Sequence, residues 1–151
     1  MRPYMYWLKF LSTGEEAGVL DWKAIGGTWG SATSKLHTWQ PKCNHLPGQL
    51  YDVCNNIEQS GDKNGVTMSL YVHKFFDDMY LHLYNLRSHL KKDAHLYYIL
   101  GNSTFYGNVV NTDEWILTII RDLGYHNVQS KIIRKRNSKS QLYEYLIEAE
   151  W

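Results

Sequence analysis

Five basic side chains lie within nine positions near the C-terminus of the sequence: Lys131, Arg134, Lys135, Arg136 and Lys139. A cationic cluster on a flexible hairpin tip can bind the phosphates of a nucleic acid. Arg134, Arg136 and Lys139 are the better phosphate candidates because they lie closest to the predicted tip. The lysines of the preceding strand can instead pair with glutamates on the facing strand, and the sequence leaves both interpretations open.

Aromatic side chains are the second group that could act chemically. The sequence has 6 Trp and 12 Tyr, and aromatic residues make up 15% of its length. Such rings either fill a core or stack on a ligand. Trp29, Lys35 and Trp39, in the irregular segment 1–65, are candidates for target recognition, and polar neighbours in sequence favour this role for Trp29 and Trp39. Packing inside the fold is an equally good explanation of these aromatic rings.

Four potential zinc ligands lie within 18 residues: His37, Cys43, His45 and Cys54. Their spacing fits no standard zinc pattern, in which ligands come as closely spaced pairs, so no metal is expected. Without a metal, these residues are expected to be two partly buried thiols and two solvent-exposed histidines. The glycine cluster at 26–30 reads G-G-x-x-G, which departs from the dinucleotide fingerprint and indicates an exposed loop.

The overall composition excludes some functional classes. The chain has 151 residues and a formal net charge of +1, so it is not a strongly basic nucleic-acid clamp as a whole. No apolar run approaches the ~18 residues of a membrane span. Two cysteines do not make a disulfide framework, so we expect a cytoplasmic protein with reduced thiols.

The pattern along the chain predicts two unlike parts. Residues 1–65 are irregular and rich in Trp and Gly, whereas residues 66–151 are strongly periodic. A long amphipathic helix is predicted from the spacing of Val72, Phe75, Met79, Leu83, Leu86 and Leu90. Its polar side, predicted to be solvated, carries Asp77, Asp78 and His82. A second helix is predicted over 113–123, with Thr112 as N-cap and Gly124 at the C-terminal end.

The remaining elements predict an α/β fold. Residues 94–100 form a compact apolar run, which predicts a strand buried on both faces, as in a parallel sheet. A loop is expected over 101–108. Two further strands, 128–136 and 142–151, are predicted to form a terminal antiparallel hairpin. The order helix, strand, helix, hairpin is α/β in character.

Several segments resemble bacterial and archaeal DNA methyltransferases that methylate an exocyclic amino group of adenine or cytosine. They are RPYMYW at 2–7, LDWKAIGGTWG at 20–30 and ATS at 32–34. Downstream, YYILGNS at 97–103 and YEYL at 143–146 resemble parts of the last three strands of that fold. The resemblance implies the C-terminal half of a Rossmann-like methyltransferase sheet, preceded by the irregular segment 1–65.

Two motifs of that family are absent from the sequence. There is no F-x-G-x-G loop, which holds S-adenosylmethionine in the family, and no Pro-Pro of the catalytic S/N/D-P-P-Y/W/F motif. The resemblance therefore implies a chain that binds the cofactor mainly through a missing N-terminal half and is inactive alone. The start at Met1, just after the expected motif, suggests a split gene, a truncated gene or a deliberate truncation.

The resemblance and the rules of α/β sheets together suggest roles for particular residues. Ligands bind outside the carboxyl ends of strands in open α/β sheets, so Asn102 and Ser103 are expected to border the cleft. Tyr106 in the same loop is a candidate for stacking on a base or ribose. Residues beside the missing motif are expected to wall the pocket for a flipped base: Tyr4, Tyr6 and Trp7.

The expected partners are double-stranded DNA and either a complementary N-terminal methyltransferase half or a second copy in a homodimer. Half of a sheet exposes a strand edge and an apolar face, which is costly unless another chain covers it. The alternative is a non-catalytic remnant of a methyltransferase that binds DNA or another protein.

Overall fold

The computed structural model describes residues 5, 7–26, 35–136 and 141–151. Tyr4, Tyr6, Trp29 and Lys139 lie outside these residues. The chain divides into two compact units, residues 1–40 and residues 41–151.

The first unit contains helix α1, Gly14–Lys23. It begins with a capping box. The Thr13 hydroxyl accepts a hydrogen bond from the Glu16 amide (3.2 Å), and the Glu16 carboxylate accepts one from the Thr13 amide (3.3 Å). This reciprocal pair satisfies two amides that the helix itself leaves unpaired. Before this helix, Met5 and Trp7 are helical, whereas residues 8–12 are not.

Three helices of the second unit supply most of its core. They are α2 (Gly48–Glu58), α3 (Gly65–Leu86) and α4 (Thr112–Asp122). The predicted long helix is confirmed as far as Leu86, although Leu90 lies beyond its end, and the predicted helix 113–123 is confirmed. The N-cap of α4 is Asn111 rather than Thr112, and Gly124 ends the helix with a φ of 91°, a conformation that favours glycine.

The main sheet has three strands: β1 (His95–Gly101), β4 (His126–Lys135) and β5 (Tyr143–Glu150). Their order is β1-β5-β4, and β5 runs antiparallel to both neighbours. The predicted terminal hairpin is thus confirmed. The expected loop after β1 contains a small hairpin of its own, β2 (Ser103–Phe105) and β3 (Asn108–Val110).

Strand β1 differs from its prediction. It is an edge strand of an antiparallel sheet, not a strand buried on both faces. Tyr97 and Ile99 are 63% and 67% exposed, whereas Leu96 is buried. The core contains inward-facing residues of β1 and β5 together with residues of α3 and α4, so helices cover one face of the sheet. We call the opposite face, which carries the glutamates of β5, the outer face.

Asp77 also differs from its prediction. It is completely buried on α3 instead of lying on a solvated side.

The architecture formed by these helices and strands is mixed α/β with a small antiparallel sheet. No helix of the described residues is long and apolar enough to cross a membrane.

Candidate functional site

Asn102 joins the end of β1 to the start of β5. Its side-chain oxygen accepts a hydrogen bond from the Tyr143 amide (2.8 Å), and its side-chain nitrogen donates to the Gln141 carbonyl (3.2 Å). The residue is only 6% exposed. Asn102 was expected to border a cleft, and the structure shows that both ends of its amide are occupied in holding the strand ends together.

Arg136 is the predicted site residue that the structure brings to Asn102. Its Nη1 donates to the Asn102 carbonyl oxygen at 2.9 Å, and its backbone amide donates to the Leu142 carbonyl at 2.7 Å. The guanidinium also lies against Gly101, where an added Cβ would collide with it. The absence of a side chain at Gly101 therefore allows Arg136 to cross from β4 to the end of β1.

Arg134 is held by a carboxylate on the neighbouring strand. Its Nε and Nη2 donate to the two oxygens of Glu144 at 2.7 and 3.0 Å. Hydrogen bonding to this guanidinium, together with its charge, holds the pKa of Glu144 below its ordinary value. Such a two-point contact fixes the plane of the guanidinium and partly neutralises its charge.

The two interpretations of the basic cluster each apply to different members. Lys131 forms an ion pair with Glu148 at 3.0 Å, as the cross-strand alternative predicts. Lys135 and Arg136 are exposed and form no ion pair with any described residue. These two cations are available to a phosphate.

Tyr106 lies at the turn of the β2–β3 hairpin. The turn has positive φ at Tyr106 (49°) and Gly107 (81°), as tight hairpins require. The Tyr106 hydroxyl donates to Asp62 at 2.9 Å, and the residue is 40% exposed. Tyr106 is therefore hydrogen-bonded to the 61–64 turn. The other candidate of this loop, Ser103, is half-buried in β2.

The predicted site residues of the first unit have different environments. Trp7 is 73% exposed, whereas Trp39 is only 9% exposed. Lys35 is exposed. In this conformation the Trp39 ring is not accessible for stacking on a base, and Trp7 is.

The sequence did not single out a polar row on the outer face of the sheet. Glu150 pairs in register with His95 on one side and His126 on the other. The ring nitrogens lie 3.4 Å (His95) and 3.7 Å (His126) from its carboxylate. Only the three-stranded register brings these residues together, so no local sequence pattern could reveal the row.

The two cysteines lie in the core. Both Cys43 and Cys54 are buried free thiols, and burial raises their pKa to about 12 and about 11, respectively. Across the part of the chain that the structure describes, no three His, Cys, Asp or Glu side chains are placed to hold a metal ion.

Comparison of the chain with protein-family models, with curated proteins and with solved structures finds no match. The residues on which a function can be proposed are the exposed cations Lys135 and Arg136, and Arg136 is held at the end of β1 by its hydrogen bond to Asn102.

Proposed function

We propose that this chain is the DNA-contacting, C-terminal part of an S-adenosylmethionine-dependent DNA amino-methyltransferase. The observation that carries the proposal is the pair of exposed cations, Lys135 and Arg136, which form no ion pair with a described carboxylate. Arg136 is oriented by its hydrogen bond to Asn102. Oriented guanidinium and ammonium groups are suited to the phosphates of a DNA backbone.

The arrangement of the sheet supports the same proposal. Strand β5 lies between β1 and β4 and opposes both, which agrees with the terminal antiparallel hairpin that the resemblance implies. Among the described residues of the second unit, helices pack against one face of this sheet. Open α/β sheets with bound ligands usually carry helices on both faces, so the outer face is compatible with a further layer supplied by another segment.

The proposal divides the chemistry between two segments. A complementary half supplies the pocket for S-adenosylmethionine and the catalytic loop, since this sequence has neither motif. The present chain contributes phosphate contacts from Lys135, Arg136 and Lys139. Arg134 contributes to the basic surface while Glu144 fixes its orientation. Trp7, which is exposed, contributes an aromatic wall for the flipped base.

Salt dependence of DNA binding tests the proposal. Three phosphate contacts predict a slope of log K against log salt of about −2.7, or about 40-fold weaker binding at 200 mM than at 50 mM salt. Fluorescence anisotropy of a labelled DNA duplex measures this slope. Binding that is absent at low salt, or that does not change with salt, would overturn the proposal.

A pair of double variants locates the contact. Lys135→Gln with Arg136→Gln is expected to reduce the steepness of the slope by about 1.8, because two phosphate contacts are lost. Lys91→Gln with Lys92→Gln is the matched control, since it removes the same charge from another exposed pair and is expected to leave the slope unchanged. Equal effects of the two double variants would show that binding follows net charge alone.

The second candidate function is a non-catalytic DNA-binding remnant. The basic surface favours it, because Lys135 and Arg136 need no catalytic motif to bind phosphates. Transfer of labelled methyl to DNA distinguishes the two functions. We expect none from this chain alone, and transfer on addition of a complementary half that carries F-x-G-x-G and S-P-P-Y. No transfer with such a half would favour the remnant.

A further inference from the structure

The two edges of the three-stranded sheet are built differently. The β4 edge has features by which proteins prevent strands from adding to a sheet. Its register with β5 shifts between His126 and Gln129 and again between Ile132 and Arg134. Asn127, within the first shift, has a φ of 51°. Lysines add charge to the strand at Lys131 and Lys135.

The β1 edge has none of these features. Its seven residues, HLYYILG, contain no proline and no Lys, Arg, Asp or Glu. The register with β5 is continuous from His95 to Gly101. The outward-facing Tyr97 and Ile99 are both more than 60% exposed. A regular, uncharged edge with exposed apolar side chains is a template for another strand.

The hydrogen bonds of β1 show which backbone groups are open. The Asn102 amide donates to the Tyr143 carbonyl, and bonded residues alternate along an antiparallel pair. The even-numbered residues of β1 therefore bond to β5. The N–H and C=O groups of the odd-numbered residues point to the open edge: His95, Tyr97, Ile99 and Gly101.

We propose that a second copy of the chain occupies this edge, with the two β1 strands antiparallel about a two-fold axis at Tyr98. In that register Tyr97 pairs with Ile99 of the second copy, and His95 pairs with Gly101. The paired residues are odd-numbered, so each pair exchanges two hydrogen bonds from groups that have no backbone partner among the described strands. The two copies form one six-stranded sheet with eight hydrogen bonds across the seam.

Side-chain complementarity favours a second copy as the occupant. On the outer face each exposed Tyr97 meets an exposed Ile99, and aromatic pairs with β-branched residues are stabilising across strands. Ile99 also lies beside Leu146 in the register of β1 and β5, so the apolar contact extends into each copy. β1 contains no Lys, Arg, Asp or Glu, so the seam brings no such like charges together. A symmetric interface needs this kind of self-complementary patch.

Sedimentation velocity of the full chain tests the proposal. We expect a dimer whose fraction rises between about 1 and 100 µM, the range in which micromolar interfaces assemble. Ile99→Lys is expected to raise the dimer dissociation constant by at least about tenfold, because it replaces an apolar cross-strand pair and adds two charges at the seam. The variant keeps its fold because the side chain is exposed, and circular dichroism checks this.

The matched control is Ile133→Lys, which makes the same change at an exposed position (47%) on the β4 edge. It is expected to leave the dissociation constant unchanged. Equal effects of the two variants, or a dimer that resists Ile99→Lys, would overturn the proposal. A chain that is monomeric throughout this concentration range would also overturn the proposal. If such a monomer associates with a complementary methyltransferase half, the β1 edge belongs to that half instead.

Disulfide cross-linking tests the register. The native cysteines Cys43 and Cys54 are buried, so new thiols at the edge react selectively. A mixture of Tyr97→Cys and Ile99→Cys chains is expected to form mixed cross-linked dimers faster than either variant alone. Faster cross-linking within one variant would refute the register centred on Tyr98.

Discussion

A buried carboxylate on α3 holds the segment that precedes α2. Asp77 is completely buried, and its Oδ1 accepts hydrogen bonds from the backbone amides of Lys42 (2.9 Å) and Cys43 (2.8 Å). Its Oδ2 is buried without a hydrogen-bond partner among the described residues. Replacing Asp77 by alanine leaves both amides without this acceptor. The hydrogen bond from the Cys43 amide is buried, and the one from the Lys42 amide is partly buried.

The size of the loss follows from these contacts. Two hydrogen bonds to a charged acceptor contribute about 3–6 kcal/mol together. Removing the carboxylate also relieves the cost of burying an unpartnered oxygen, about 1–3 kcal/mol. Asp77→Ala is therefore expected to lower the free energy of unfolding by about 2–3 kcal/mol, the difference between matching ends of the two ranges. Asp77→Asn keeps the accepting oxygen and is expected to lose less.

Asp78→Ala is the matched control, because Asp78 is the next residue on α3 and pairs with Lys74 one turn away. Such a pair contributes about 0.5 kcal/mol or less. Urea unfolding followed by tryptophan fluorescence measures all three variants, since Trp115 is buried in the core. A free energy within about 0.5 kcal/mol of the native value for Asp77→Ala would refute the reasoning.

The Cys43 thiol gives a local readout of the same change. Burial raises its pKa to about 12, and the charge of Asp77 contributes to that rise. Asp77→Ala is expected to lower this pKa and to loosen the backbone around the thiol, so Cys43 should react faster with an aromatic disulfide. Cys54, whose raised pKa has no contribution from Asp77, is the internal reference. Equal acceleration of both thiols would indicate global unfolding instead.

Two further predictions concern a turn and an ion pair. Gly124→Ala is expected to destabilise the chain by about 1 kcal/mol in thermal unfolding because φ is 91° there. Gly18→Ala is the control, because Gly18 lies on helix α1 with open space around the added methyl, and it should stabilise this helix. A lower stability of Gly18→Ala would show that the loss at Gly124 is not specific to its positive φ. The pKa of Glu144 in the folded chain lies below its ordinary 4.5. The stability that its pair with Arg134 contributes is therefore fully present above pH 4.5, and it is lost as the pH falls through the pKa of the folded state. A carboxyl NMR titration should show this pKa rising in Arg134→Ala, and an unchanged pKa would exclude the pair as its cause.

Local periodicity accounts for the parts of the fold that the sequence predicted. The spacing of apolar residues located α3 and α4, and strict alternation located the strands of the terminal hairpin and their faces. Gly124 marked a helix end because only the local backbone conformation matters there. These features depend on residues close together in the chain.

The errors concern contacts between distant residues. The apolar run 94–100 was interpreted as buried on both faces, but whether a strand is central or at an edge depends on its neighbours, and β1 has one neighbour in the described sheet. Asp77 matched a polar helix side in sequence. It is buried because a segment 34 residues away provides two amides for its carboxylate.

The candidate site was partly predictable for the same reason. Cross-strand pairing and phosphate binding were both open for the basic cluster, and the sequence could not assign individual residues. The register of β4 with β5, including its second irregularity, decides the matter. It places Arg134 opposite Glu144, whereas the next two residues, Lys135 and Arg136, form no ion pair with a described carboxylate.

The two proposed surfaces lie on different strands of one sheet, and this permits each to be altered separately. Strand β5 separates the uncharged β1 edge from the charged β4 edge. Ile99→Lys changes the seam and leaves Lys135 in place, while Lys135→Gln removes a phosphate contact and leaves every residue of β1 in place. Dimerisation through β1 would bring two basic tips into one particle. The DNA affinity of the dimer should then exceed that of a single chain, provided that the basic residues of both copies reach the same duplex. Ile99→Lys should remove this excess affinity and leave the salt dependence of each single chain unchanged.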